Sequence, residues 1–213
     1  RKDVGPPGLD GGMEDLAATL TGIGQQLGAV VAAALDGIGL DGASDAALLE
    51  AVAAAAGIGR LAEAVMVAGA GVVQDRSASA VREERLSTRM GCGTVGELLQ
   101  RVTRASRRTV AGYERGARAV HQPTSIATGE PRAADYPGLR RALVAGAVGV
   151  DGLTAVIGPL SVVPMTAGRA AFLAADEELA ASAAGAGATG EPPACAEDLR
   201  MQAQVWAIHL DQD

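Results

Sequence analysis

The chain has 213 residues, of which 46 are Ala, 29 are Gly and four are aromatic. So few aromatic residues argue against a large β-sandwich or barrel, whose strands are usually rich in aromatic and β-branched side chains. The net charge of −7 taken alone argues against nucleic-acid binding. Because Ala has the highest helix propensity, the composition predicts an all-α fold, a helical bundle built from a long helical hairpin followed by several shorter helices.

The N-terminal third of the chain predicts two long helices. Residues 1–12 are rich in Gly, Pro and Asp and are expected to form a disordered lead-in. From Met13 to Leu35 apolar residues recur every three or four positions, which predicts an amphipathic helix. A Gly-rich turn follows, and Ser44 or Asp45 can cap a second helix that runs to about Arg85. We expect the two helices to pack as an antiparallel hairpin.

Seven apolar residues of the second helix are expected on its inward side: Leu48, Leu49, Val52, Ile58, Leu61, Val65 and Val72.

The longest segments with little or no charge are interpreted as core helices. Leu16–Leu35 carries no charge but contains Gln25, Gln26 and three Gly, and residues 142–168 carry only Asp151 but are interrupted by Pro159 and Pro164. Ala and Gly contribute little to transfer into a bilayer, so no membrane partner is expected. Cys92 and Cys195 lie far apart in unrelated contexts, which predicts reduced thiols in a cytoplasmic protein.

Positive charge is concentrated in one segment. Between Asp75 and Arg118 there are ten Arg against five acidic residues, so this window is +5 and the remainder of the chain is −12. One interpretation is a surface that contacts phosphates. The alternative is a solvated helix face whose arginines pair with nearby acids, for instance Arg118 with Glu114 at a spacing of four residues.

Two short helices inside this segment resemble a helix-turn-helix. Thr94 can cap a helix from Val95 to Arg104, and Ser106 can cap a second one from Arg107 to about Val120. A helix-turn-helix places the N-terminal residues of its second helix at the major groove of DNA. Basic side chains there reach guanines or phosphates, and hydroxyls near the helix start can bond phosphate oxygens.

The candidate DNA-binding residues are therefore Arg101, Arg104, Ser106, Arg107, Arg108, Thr109, Arg115 and Arg118. In the first of the two helices, the residues expected to face inward are Val95, Leu98, Leu99 and Val102. The alternative is that Val110, Tyr113 and Ala117 simply dock the second helix on the core while its arginines face water.

The remaining sequence predicts a continuation of the same domain. Residues 13–120 contain the hairpin and the basic pair, and residues 121–137 form a Pro-rich loop. Residues 138–213 are expected to form C-terminal helices over 138–147, 151–160, 164–184 and 196–210, with a flexible linker at 185–193.

No catalytic or metal site is predicted. His121 and His209 have no neighbouring ligands at metal-binding spacing, so structural roles are expected for both. The carboxylates of Asp176, Glu177 and Glu178 follow one another on an Ala-rich helix and are expected to be solvated.

Three segments resemble a known family: LSTRMGCGTVGELLQRVTRASRRTVAGYERGARAVHQP at 86–123, DYPGLRRALVAGAVGVDGLTAVIGPL at 135–160 and CAEDLRMQAQVWAIHLDQD at 195–213. The resemblance is to the domain of unknown function 222, also called the 13E12 repeat family. It runs from Leu48 through Asp213, about four-fifths of the chain. Such domains form the N-terminal helical part of actinobacterial HNH endonuclease-like proteins.

The resemblance implies a non-catalytic helical domain that assists DNA engagement. In the family a separate HNH module carries the divalent metal and cleaves DNA, and that module is expected to be absent from this chain. The family has a His in its second-helix unit, where this chain has Leu153, Thr154 and Ala155, so no role is transferred to that position. The alternative is a protein–protein interaction or dimerisation module that self-associates through the Ala-rich hairpin.

Overall fold

The computed structural model describes residues 13–36, 39–123, 129–130, 132–162, 168–187 and 191–211. No strand occurs among these residues, and the predicted all-α fold is confirmed. The α-helices in these ranges are α1 (Met13–Leu35), α2 (Asp45–Asp75), α3 (Leu86–Arg89), α4 (Val95–Thr103), α5 (Arg107–Val120), α6 (Pro137–Val144), α7 (Val150–Leu160), α8 (Arg169–Ala183) and α9 (Ala196–Asp211). A 3₁₀ turn at Arg82–Glu84 precedes α3.

The chain divides into two compact units, residues 1–53 and residues 54–213, and the division falls inside α2. The first unit contains α1 and the start of α2. None of the α1 side chains that the structure describes, at positions 15–35, is buried. The hairpin packing expected for α1 therefore stays a prediction.

The second unit is built around α7. This helix makes extensive contacts with α9 and α5, while α8 packs against α6 and α9. Large side chains from four helices are fully buried at these contacts, namely Leu139, Leu153, Val156, Leu179 and Leu199. A single apolar core thus holds the helices of residues 54–213 together.

The contact between α5 and α7 depends on two glycines. A Cβ atom on Gly112 would lie 2.8 Å from Cγ1 of Val150, and one on Gly116 would lie 3.1 Å from Cδ1 of Leu153. Gly116 also faces Val67 of α2. Because both glycines lack side chains, the backbone of α5 approaches its neighbours closely, and one fixed side of α5 is buried.

Helix α2 has apolar residues on two opposite sides. Within the second unit its buried side consists of Val67, Ala70 and Gly71. The opposite side of α2 is exposed and carries Ile58, Leu61, Val65 and Val72. In the first unit, Leu49 and Val52 are exposed as well, so the prediction that these six residues face inward is wrong. Leu48 is partly exposed. Periodicity alone could not decide which of the two apolar sides meets the core.

The end of α2 also differs from the prediction. The helix stops at Asp75 rather than near Arg85. Beyond it, the hydroxyl of Ser77 accepts a hydrogen bond from the N–H of Ser87, and the hydroxyl of Ser79 accepts one from the N–H of Val81. Serine side chains that bond to the backbone in this way compete with helical hydrogen bonds, so the chain turns here.

Two long helices satisfy the length and composition of a membrane span, Asp15–Leu35 and Asp45–Asp75. In the second of these, Nε of Arg60 donates to the carbonyl of Gly146 at 2.6 Å, and Oε2 of Glu63 accepts from the N–H of Val150 at 2.8 Å. These charged side chains are engaged within the second unit, although only 6% of the span-like window of this helix is buried. The expected absence of a membrane partner stays a prediction.

A buried carboxylate joins α6 to α8. Asp176 is 1% exposed, and its oxygens accept hydrogen bonds from the N–H groups of Gly138 (2.5 Å) and Leu139 (3.0 Å) at the start of α6. The prediction that Asp176 is solvated is therefore wrong, whereas Glu177 and Glu178 are exposed as expected. The carboxylate supplies acceptors for backbone donors that a helix start leaves without partners.

Burial raises the pKa of Asp176 above its ordinary value of 3.8, and the two backbone hydrogen bonds oppose that rise. A carboxyl group whose pKa is raised by folding favours the folded state most below its unfolded pKa. Its contribution to stability is then lost as the pH rises from 3.8 through the folded-state pKa.

The first prediction concerns the approach of α5 to α7. Gly112→Ala places a methyl group against Val150, so it should lower the free energy of unfolding by about 1–3 kcal/mol, as measured by urea denaturation. Gly69→Ala is the matched control, because a Cβ at this exposed position of α2 meets nothing within 4 Å. It should raise stability by about 0.5–1 kcal/mol. A neutral or stabilising Gly112→Ala would contradict the close approach.

The second prediction compares adjacent carboxylates. Asp176→Ala leaves the N–H groups of Gly138 and Leu139 without their acceptor, so it should lower the free energy of unfolding by about 1–3 kcal/mol. Glu177→Ala removes only the exposed ion pair with Arg141 and should change stability little. Equal losses for the two variants in the same denaturation assay would argue against a special role for Asp176.

Candidate nucleic-acid interface

Helices α4 and α5 both begin at the caps predicted from sequence. Oγ1 of Thr94 accepts from the N–H of Glu97 at 3.1 Å, and Oγ of Ser106 accepts from the N–H of Thr109 at 3.1 Å. The predicted bounds of α5, from Arg107 to Val120, are confirmed. Local side-chain chemistry fixes where each of these helices starts.

The turn between the two helices contains an arginine in the left-handed region. Helix α4 ends at Thr103, one residue before the predicted end, and Arg104 adopts a φ of 57°. The hydroxyl of Thr103 donates to the carbonyl of Leu99 at 2.7 Å and accepts from the N–H of Ala105 at 3.2 Å. Arginine is unfavourable in this backbone conformation, where glycine would carry no steric cost.

One side of α5 is buried, and it includes the three residues expected to dock this helix on the core. Val110, Tyr113 and Ala117 all lie in the core. Burial, followed by the nearby carboxylate of Glu63, raises the pKa of Tyr113 above its ordinary value. This burial turns the opposite side of α5 towards solvent.

Helix α4 follows the prediction except at Val102. Leu98 and Leu99 are buried and Val95 is partly buried, but Val102 is 71% exposed. Val102 lies in the last turn of α4, directly before the chain turns away at Arg104, so α4 ends before this side chain is covered. The prediction that Val102 faces inward is wrong.

All eight candidate DNA-binding residues lie at the surface: Arg101, Arg104, Ser106, Arg107, Arg108, Thr109, Arg115 and Arg118. The ion pairs formed within the described part of the chain are His121–Asp75 and Arg141–Glu177, and neither involves a candidate arginine. The pair given as an example of the alternative interpretation, Arg118 with Glu114, is not among them. Arg101 instead donates through Nη1 to the carbonyl of Met90 at 3.4 Å.

The two candidate hydroxyls are already engaged with each other. Oγ of Ser106 and Oγ1 of Thr109 lie 2.9 Å apart, in addition to the capping bond. One of the two hydroxyls must donate in this contact, which leaves the hydrogen of the other free for an incoming acceptor.

A groove of about 1320 Å³ runs between α5 and α9 across α7. Among the candidates, Arg108, Thr109 and Arg115 line it. A third basic residue, Arg200 of α9, lines the groove as well, and sequence reasoning missed it because it lies far outside the basic window. Acidic side chains from the other walls, including Asp151 and Glu197, keep the groove mixed in charge.

Arg118 lies at a different cleft, of about 350 Å³, which Asp75, His121 and Arg132 also line. Nε2 of His121 lies 2.6 Å from Oδ2 of Asp75, and the residues are 46 positions apart in the chain. No sequence signal indicated this contact. The candidate set is thus divided, and Arg101, Arg104 and Arg107 line neither of the two cavities.

The other polar groups considered from sequence do not assemble into a reactive site. His209 packs its ring against Trp206 with centroids 5.8 Å apart. Cys92 is buried, Cys195 is exposed, and both are free thiols. Over the ranges that the structure describes, no group of three or more His, Cys, Asp or Glu side chains could hold a metal ion.

Comparison of the chain with protein-family models, with curated proteins and with solved structures finds no match.

The third prediction concerns the turn. Arg104→Gly relieves an unfavourable backbone conformation and should raise the free energy of unfolding by about 0.5–1 kcal/mol. Arg101→Gly, inside α4, is the control and should lower it by about the same amount, because glycine weakens a helix interior. Urea denaturation of both variants measures the contrast. A loss of stability in both would show that Arg104 is not strained.

Proposed function

We propose that this chain is a non-catalytic helical domain that engages DNA through the arginines of α4 and α5. The observation that carries the proposal is that all six candidate arginines are exposed and that none of them forms an ion pair within the described residues. The resemblance to the domain of unknown function 222, which precedes an HNH nuclease module in its family, supports this proposal. We also propose that the protein acts in the bacterial cytoplasm.

An arginine side chain without an ion-pair partner is well suited to bind a phosphate group. The guanidinium group stays charged at any physiological pH and offers a planar fork of donors that matches two phosphate oxygens. The sequence has 25 acidic residues, yet within the described residues none of them forms an ion pair with an arginine of this surface. A concentrated cationic surface on an acidic protein favours a specific anionic partner over general adhesion to polyanions.

The arrangement of α4 and α5 also favours DNA. Four arginines of α5, at positions 107, 108, 115 and 118, fall within an arc of about 100° when each residue advances the helix by 100°. They extend over about 16 Å of helix, and the major groove is wide enough to admit one helix. Arg107 and Arg108 occupy the first turn of α5, where the partial positive charge of the helix start adds to their own.

The fourth prediction tests this surface directly. Arg107→Glu combined with Arg108→Glu replaces two cations with two anions at the start of α5. The double variant should bind a labelled DNA duplex at least tenfold more weakly at low salt, as measured by fluorescence anisotropy. Circular dichroism should show unchanged helix content, because both side chains are exposed.

Arg76→Glu combined with Arg82→Glu is the matched control. Both residues are exposed, both lie in the same basic window, and the change in net charge is identical. This variant should retain most of the binding. Equal weakening by the two double variants would indicate attraction by net charge alone and would contradict an interface on α4 and α5.

A further inference from the structure

Helix α1 has an apolar seam in which steps of three and four residues alternate without interruption. This α1 seam consists of Met13, Leu16, Leu20, Ile23, Leu27, Val30 and Ala34. The spacing is that of the a and d positions of a heptad repeat, maintained over three heptads. Met13, Leu20, Leu27 and Ala34 take the a positions, and Leu16, Ile23 and Val30 take the d positions.

Within the first unit, the middle of the α1 seam is uncovered. The exposed fractions are 40% for Leu20, 51% for Ile23, 37% for Leu27 and 63% for Val30. Four consecutive large apolar side chains that remain open to water along one line of a helix indicate a surface that meets a partner.

The flanks of the α1 seam are suited to a second copy of the same helix. The e positions are Ala17, Gly24 and Val31, and the g positions are Thr19, Gln26 and Ala33. No charge occurs from Leu16 to Leu35, so identical helices can approach side by side without repulsion between like charges. Small and uncharged flanks also widen the apolar face beyond the narrow a/d stripe of a two-stranded coil.

The residues at a and d indicate how many helices associate. Leu20 and Leu27 occupy a positions, while the β-branched Ile23 and Val30 occupy d positions. Two-stranded coils favour the reverse arrangement, with β-branched residues at a and Leu at d. Leu at a with Ile at d favours three or four strands.

A bilayer is a poorer fit to α1 than further copies of the chain. The uncharged stretch of 20 residues would extend about 30 Å as a helix, which is enough to cross the hydrocarbon core. Gln25 and Gln26, however, lie at the midpoint of that stretch, where polar groups are most costly in lipid.

We propose that α1 is an oligomerisation helix, and that its seam packs against the same seam of two or three further copies of this chain. This assembly does not depend on the DNA-engaging function, because it uses α1 alone.

The fifth prediction is the mass of the full chain in solution. Sedimentation equilibrium should give three or four times the chain mass of 21.2 kDa. Leu20→Glu combined with Leu27→Glu places charges at two central a positions of the α1 seam and should reduce the mass to that of a single chain. Gln25→Glu combined with Ala32→Glu adds the same charge at two f positions, which face outward in such an assembly, and should leave the mass unchanged.

Four outcomes would overturn the proposal. The first two are a wild-type mass of one or two chains and equal dissociation by both double variants. The third is a monomeric wild-type chain whose melting temperature is higher than that of the variant carrying Leu20→Glu and Leu27→Glu. That result would indicate that the hairpin predicted from sequence covers the α1 seam within one chain. The fourth is flotation of the monomeric chain with phosphatidylcholine vesicles, which would indicate that the α1 seam binds a bilayer rather than further copies of the chain.

Discussion

Helix α5 can lie against α7 and α2 only because Gly112 and Gly116 have no side chains. This constraint determines which side of α5 is buried, since the glycines must face Val150 and Leu153. The arginines of α5 are then turned outward by the geometry of a single helix. The groove between α5 and α9 follows from the same placement, because α7 forms its floor. The candidate interface therefore depends on a packing requirement at two residues that carry no functional group.

Charge is distributed in a way that complements this placement. The chain carries a net charge of −7, yet the outer side of α5 keeps its arginines free of ion pairs within the described ranges. Ion pairing with neighbouring acids would reduce the gain from a phosphate contact, since those pairs would have to be broken first. The left-handed backbone conformation of Arg104, which lies at the same surface, is energetically unfavourable for a residue other than glycine. Sparsely populated backbone conformations of this kind cluster at functional sites, and Arg104 is one of the six arginines proposed to contact DNA.

The features that could be predicted from sequence are those determined by local chemistry. Thr94 and Ser106 cap their helices through bonds to residues three positions away, so the starts of α4 and α5 could be recognised directly. Contacts between distant residues could not be recognised. Asp176 reaches the start of α6, and His121 reaches Asp75, across intervals of 37 to 46 residues that carry no motif. The buried side of α2 could not be predicted from periodicity for a different reason. This helix is apolar on two opposite sides, and only the tertiary structure determines which of them is buried.

The most direct test of the central claim is the salt dependence of binding between the full chain and a labelled DNA duplex. If the six candidate arginines of α4, α5 and the turn between them contact phosphates, the logarithm of the association constant should fall with the logarithm of the salt concentration with a slope of roughly −5. That value corresponds to the release of counterions from about six phosphates. Binding that does not depend on salt, or no binding at low salt, would contradict the proposal that this surface engages DNA.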